Sequence, residues 1–246
     1  MPPAKDKNVI DAFGLQPGRV IAGKYEVVNM LGRGWEGEVY KIRELRTGIE
    51  RAAKLFFPQR NPNNKTSKFY AKKLHKLRQC PILIQYHTDE QMMFRKIPIT
   101  VLISEYVEGM LLQEFVMTRP GKRLPPYQGL HLLYALVKGI EEIHLQSEYH
   151  GDLHSRNVIV NRFGLGFRLK LLDLYNWSAA TRENRKDDIV DAIRVFHECI
   201  GGAKRYASMP KTVKDICCGL RRSLILKKFN NISQLREHLE MLDWED

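Results

Sequence analysis

His150-Gly151-Asp152-Leu153-His154-Ser155-Arg156-Asn157 is followed, sixteen residues after Asn157, by Asp173-Leu174-Tyr175. The stretch sets a candidate base and two metal-capable side chains close together in the chain. Asp152 and Asn157 are five residues apart, too far for one strand face and suited to a loop that curls around a phosphate. Val158-Ile159-Val160 then reads as a short apolar strand, residues 161–166 as a glycine-containing turn, and Phe167-Arg168-Leu169-Lys170-Leu171-Leu172 as a partly alternating strand. Such a hairpin would return Asp173 to the side of Asn157.

Upstream, Leu31-Gly32-Arg33-Gly34-Trp35-Glu36-Gly37-Glu38-Val39-Tyr40 carries three glycines in a G-x-G-x-x-G spacing. Glycine suits a backbone that presses close to a polyphosphate, or a tight turn that needs positive φ. An ordinary hairpin turn would also use it. A dinucleotide-binding fold requires a helix directly after the third glycine, whereas Glu38-Val39-Tyr40-Lys41-Ile42 continues as a strand. The next strand, Arg51-Ala52-Ala53-Lys54-Leu55-Phe56-Phe57, places a lysine among apolar residues. A buried ammonium is costly without an anion, so Lys54 either holds one or snorkels to water from a strand edge.

H-x-D-x-x-x-x-N with a following aspartate, G-x-G-x-x-G-x-V and the Ala-x-Lys strand, in this order, resemble the protein kinase-like superfamily. The resemblance runs over about residues 18–242. It is to a minimal bacterial, eukaryotic-type Ser/Thr protein kinase whose His150-Gly151-Asp152-Leu153-His154 run is similar to that of aminoglycoside- and choline-type small-molecule kinases. It implies an α+β, bilobal fold with an antiparallel-sheet N-lobe carrying one helix and a mostly helical, shortened C-lobe. The expected boundaries are an N-terminal extension at 1–23, the N-lobe at 24–107 and the C-lobe at 108–246.

The resemblance also assigns roles. ATP would be held by Gly32, Gly34, Gly37, Val39, Ala52, Lys54, Glu105, Val107 and Ile159, with Lys54 on the phosphates, Ser104 as gatekeeper, and the backbone of Glu105 and Val107 along the adenine edge. Asn157 and Asp173 would hold Mg²⁺, and Asp152 would orient and deprotonate the acceptor hydroxyl. His154, where protein kinases carry a lysine, would either assist as a donor or be structural. Leu130, Leu133, Val137, Ile140 and Ile143 recur at helical spacing ahead of the catalytic loop. Asp188, leading a later helix, would hold the catalytic-loop backbone or serve only as a helix N-terminal charge.

Three departures qualify the match. No acid lies from Leu55 to Thr88, and the place of the usual helix glutamate falls on Tyr70 or Ala71. Asp173 and Asp188 are only fifteen residues apart, and neither A-P-E nor the D-P-x-x-R pattern occurs, so the activation segment is minimal. Gly151 replaces the arginine that reads a phosphorylated loop in many protein kinases. The expected function is an ATP-dependent Ser/Thr protein kinase without a loop-phosphorylation switch. A small-molecule kinase and a nucleotide-binding pseudokinase scaffold remain the alternatives.

Composition fits this placement. The 246 residues are 43% hydrophobic, ample for a core. No apolar run reaches a membrane span and no signal peptide opens the chain, so a cytoplasmic protein without membrane contact is expected. Cys80, Cys199, Cys217 and Cys218 lack C-x-x-C spacing and read as reduced thiols. The net charge of +12 concentrates at Lys65, Lys68, Lys72, Lys73, Lys76 and Arg78, and again at Arg221, Arg222, Lys227 and Lys228. Such helices are either solvated faces or contacts for an acidic or nucleic-acid partner. The principal partners implied are ATP and a hydroxyl-bearing acceptor, a protein by preference.

Overall fold

The structure, a computed structural model, describes residues 9–164, 166–174 and 180–242, with the backbone but not the side chain of Phe163. Tyr175 and the rest of the short link at 175–179 lie outside the described residues. The chain divides into two compact units, Met1–Arg78 with Ile84–Val107, and Gln79–Leu83 with Glu108–Asp246. No helix among the described residues is long and apolar enough to cross a membrane.

The first unit is an antiparallel sheet with one helix. Its elements are β1 (Val20–Ile21), β2 (Tyr25–Arg33), β3 (Gly37–Glu44), β4 (Glu50–Phe56), α1 (Lys65–Lys76), β5 (Tyr86–Phe94) and β6 (Ile97–Glu105), in the spatial order β1-β2-β3-β4-β6-β5. Period-2 alternation sorts the central strands. Tyr40 and Ile42 of β3, Ala53 and Leu55 of β4, and Val101 and Ile103 of β6 are fully buried in one core. Across the ladder Val39 stands opposite Lys54, and Ala52 opposite both Lys41 and Ser104. Those residues therefore share the other face.

The core face is covered by the segment read as an N-terminal extension. Ile10, Phe13 and Leu15 are buried in the same cluster, and the Phe13 ring lies 5.3 Å from both Phe57 and Phe94. Its backbone is satisfied by a buried carboxylate. Glu38 accepts from Phe13 N–H at 3.1 Å and Gly14 N–H at 3.2 Å, and from the Tyr40 hydroxyl, which itself accepts from Leu15 N–H at 3.1 Å. Burial, with the Glu38 carboxylate beside it, pushes the Tyr40 phenol up to about 12, so it stays a donor.

Residues 58–64, which join the lysine strand to α1, form two 3-10 turns, Pro58–Arg60 and Pro62–Asn64. Both begin on proline, whose fixed φ suits a first helical position. Buried Asn61 closes them by accepting from Ser67 N–H at 3.1 Å. Along α1, Lys65, Lys68, Lys72 and Lys76 face solvent.

The second unit begins with β7 (Met110–Leu111), α2 (Leu112–Met117) and α3 (Pro126–Leu145), followed by β8 (Val158–Phe163) and β9 (Gly166–Leu171). β7, β8 and β9 form a small antiparallel sheet in that order. The hairpin strand β8 runs three residues beyond Val160, which leaves a tight turn at Gly164 with φ +57°. Helices α4 (Arg182–Cys199), α5 (Ala203–Tyr206), α6 (Lys211–Cys217), α7 (Arg222–Lys228) and α8 (Ile232–Glu240) complete it.

α3 buries Leu130, Leu133, Val137, Ile140 and Ile143, the expected stripe. Its Gly139 receives Ile82, since a Cβ there would lie 2.0 Å from Ile82 Cδ1. Leu83 then bridges Leu171 of β9, and Leu171 N–H donates to Ile82 O at 2.7 Å. α4 starts six residues before Asp188 because Thr181 and Asn184 form a capping box. Asp188 is therefore interior to the helix, and the helix-end charge reading fails. The second basic cluster is partly neutralised: Arg222 reaches Asp187 at 2.8 Å and Glu183 at 3.0 Å, and Lys228 pairs with Asp215.

Candidate active site

The first unit supplies a glycine-rich turn and a lysine. β2 and β3 close through Gly34 N–H donating to Gly37 O at 2.9 Å. None of Gly32, Gly34 and Gly37 has positive φ, contrary to one reason for expecting glycine there. Gly37 is required by proximity: a Cβ would fall 1.9 Å from the Leu55 carbonyl oxygen. Gly32 and Gly34 have no heavy atom within 4 Å of a Cβ position, so their backbone faces open space.

Lys54 lies on the half-buried face with Val39 and Ala52. Its ammonium forms a 2.7 Å ion pair with Glu36 Oε2, in the turn between Gly34 and Gly37. Tyr70 of α1, one of the two positions expected for the helix glutamate, turns its ring to the same ammonium, 4.9 Å from the centroid. Ser104 is buried opposite Ala52, and Glu105 N–H donates to Gln85 O at 2.9 Å. Val107 ends this unit.

The second unit supplies the loop from His150 to Asn157. Asn157 Nδ2 donates at 2.9 Å to both the carbonyl and the Oδ2 of Asp152, so the candidate base and the candidate metal ligand meet. This leaves Asn157 Oδ1 as the atom for a hard cation. Leu172 N–H donates to Asn157 O at 2.8 Å, which brings Asp173 back beside the loop with its backbone at φ +46°. Ile159 is half-buried on β8.

The loop is held from beneath by Asp188, which is fully buried. Its Oδ2 accepts from His150 N–H at 2.8 Å and its Oδ1 from Gly151 N–H at 2.8 Å, while His144 Nε2 lies 2.9 Å from Oδ2. The backbone-holding role expected of Asp188 is thus its observed geometry. Gly151 sits at φ +81°, a conformation costly for any side chain.

His150 is buried, with Nδ1 accepting from Asp152 N–H at 3.2 Å and Nε2 donating to Leu172 O at 2.9 Å. This bonding assigns a neutral ring protonated at Nε2. His154 directs Nε2 to Asp152 Oδ1 at 3.6 Å and accepts from Arg156 N–H at Nδ1. It thus stands beside the candidate base, half-exposed to solvent.

The family model described as "Protein kinase domain" matches residues 25–196. The chain belongs to the protein kinase domain family. It is 28% identical over 158 residues to a Streptomyces coelicolor protein named "Probable serine/threonine-protein kinase", covering 63% of this chain and 23% of that one. It is 27% identical over 150 residues to the serine/threonine-protein kinase PrkC of Bacillus subtilis, covering 60% and 22% respectively. The chain therefore spans under a quarter of either relative. The Mycobacterium tuberculosis PknI kinase domain superposes with a TM-score of 0.65 at 19% identity, over 92% of this chain and 98% of that one. That likeness concerns the fold.

Two carboxylates with partners in the first unit escaped the sequence reading. Glu36 occupies an unspecified position of the glycine motif, and nothing local marks it. Glu38 carried a usable signal, since it alternates with the apolar Tyr40 and Ile42 and must point into the core.

Proposed function

We propose that the chain is the catalytic domain of an ATP-dependent Ser/Thr protein kinase with a minimal activation segment and no loop-phosphorylation switch. The observation that carries this reading is the pairing of Asp152 with Asn157 on a loop fixed by Asp188. A scaffold has no need to orient a base beside a metal ligand. In this reading Asp152 orients the acceptor hydroxyl and takes its proton as the acceptor oxygen bonds to the γ-phosphorus. The bond from that phosphorus to the β,γ-bridging oxygen breaks, and ADP leaves.

Lys54 and the open backbone of Gly32 and Gly34 fix the phosphates. Val39, Ala52 and Ile159 would flank the base, with Glu105 and Val107 at its edge. Asn157 Oδ1 and the Asp173 carboxylate are the oxygen ligands suited to Mg²⁺, which when bound neutralises phosphate charge. His154 would add a proton donor next to Asp152. The excess of positive charge favours approach of an anionic nucleotide.

The test is incubation of the purified chain with γ-labelled ATP and Mg²⁺, offering a mixture of proteins in one arm and small hydroxyl metabolites in another. Label on protein serine or threonine, lost in Asp152→Asn and Asp173→Ala, is the expected result. Label only on metabolites would favour the small-molecule reading suggested by the His150-to-His154 run. Nucleotide binding without any transfer would leave a scaffold.

A further inference from the structure

Lys54 faces a carboxylate on the glycine-rich turn itself. Its Nζ is 2.7 Å from Glu36 Oε2, and the two side chains are 12% and 23% exposed. The contact is built by the backbone: Phe57 N–H donates to Glu36 O at 2.8 Å, and Gly37 lies so close to β4 that no side chain fits. Together these pin Glu36 above the lysine strand.

The helix offers the same ammonium the face of Tyr70, and the α1 sequence carries no acid. A ring face stabilises a cation without neutralising it. A carboxylate on a helix behind the lysine would leave its phosphate side open. Glu36 instead approaches from the turn whose neighbouring glycines leave space for phosphate.

We infer that Glu36 is a stand-in for nucleotide phosphate, holding Lys54 while the site is empty and being displaced when polyphosphate arrives. Two anions on one ammonium repel each other, so nucleotide binding must break or stretch the Glu36 pair. The turn is thereby a latch that weakens nucleotide affinity and opens only as the phosphates engage. This inference rests on the reading of Lys54 as the phosphate ligand.

The test is calorimetric titration of Mg-ATP into the wild type, Glu36→Gln, Lys54→Met and the double variant, with Glu36→Asp as a second probe of reach. Glu36→Gln should bind about fivefold tighter, the equivalent of ~1 kcal/mol for a partly exposed pair. Glu36→Asp, one methylene shorter, should shift the same way, and the gain should vanish in the Lys54→Met background. Wild-type binding with unchanged or weaker binding in both Glu36 variants would overturn the latch. Weaker binding and slower turnover in Glu36→Gln, restored by Glu36→Asp, would overturn it in favour of a residue that positions Lys54. Failure of the wild type to bind Mg-ATP would overturn the phosphate reading of Lys54, and the latch with it.

Discussion

Asp188 shows how much one buried acid can decide. Both of its oxygens are used, and the three groups they serve belong to the catalytic loop and the end of α3. An amide in its place offers one acceptor and turns an N–H toward a backbone N–H. Asp188→Asn should therefore destabilise the protein by about 3 kcal/mol, since buried donors lose their partners. Urea unfolding measures this directly, and a cost below about 1 kcal/mol would show that the loop is held by other contacts. The role of Asp188 was legible in the sequence because the resemblance gives the acid of that helix the task of holding the loop, even though only fifteen residues separate it from Asp173. The partnership of Glu36 with Lys54 was not, because a glutamate in a loop is the commonest kind of solvated residue until the fold shows what lies under it.

The helices and strands were legible where their periodicity was long. The α3 stripe declared itself over five apolar positions, and Lys54 stood out as a lysine inside an apolar strand. The segment from Ile10 to Leu15 has no such signature. Its few apolar residues are too short a run for any period to emerge, yet they close the core of the first unit.

Packing also reverses a propensity rule on α3. Replacing an interior helical glycine by alanine ordinarily gains about 1 kcal/mol. At Gly139 the added methyl would collide with Ile82, so Gly139→Ala should lower stability by ~1–3 kcal/mol. Thermal unfolding of Gly139→Ala, Ile82→Ala and the pair should show strong non-additivity, the double variant costing less than the two single losses combined. Simple additivity would mean that the helix backbone moves aside instead.

The protein's response to acid should follow in part from two imidazoles that burial lowers. Burial lowers His197 on α4 beneath its ordinary 6.5, where it packs 5.2 Å from the Tyr206 ring. Burial also lowers His238 on α8, assisted by the Lys228 charge and opposed by Asp215. In the unfolded chain each takes up a proton near pH 6.5, whereas the folded protein resists until lower pH. Stability from these groups is thus present above pH 6.5 and lost as pH falls through their folded values, with a slope of at most about 1.4 kcal/mol per pH unit for each proton. Urea midpoints at pH 7.5, 6.0 and 5.0 should fall in that order, and His197→Gln should flatten the decline. An unchanged decline in that variant would assign the acid sensitivity to other groups.

The five residues Gln79–Leu83 carry one more implication. They lie in the first half of the chain, but Ile82 and Leu83 find their packing on α3 and β9. Cutting the gene between Val107 and Glu108 would strand this peg on the wrong fragment and leave an apolar socket on the other. Neither fragment would be a soluble module, and the two would have to be made together.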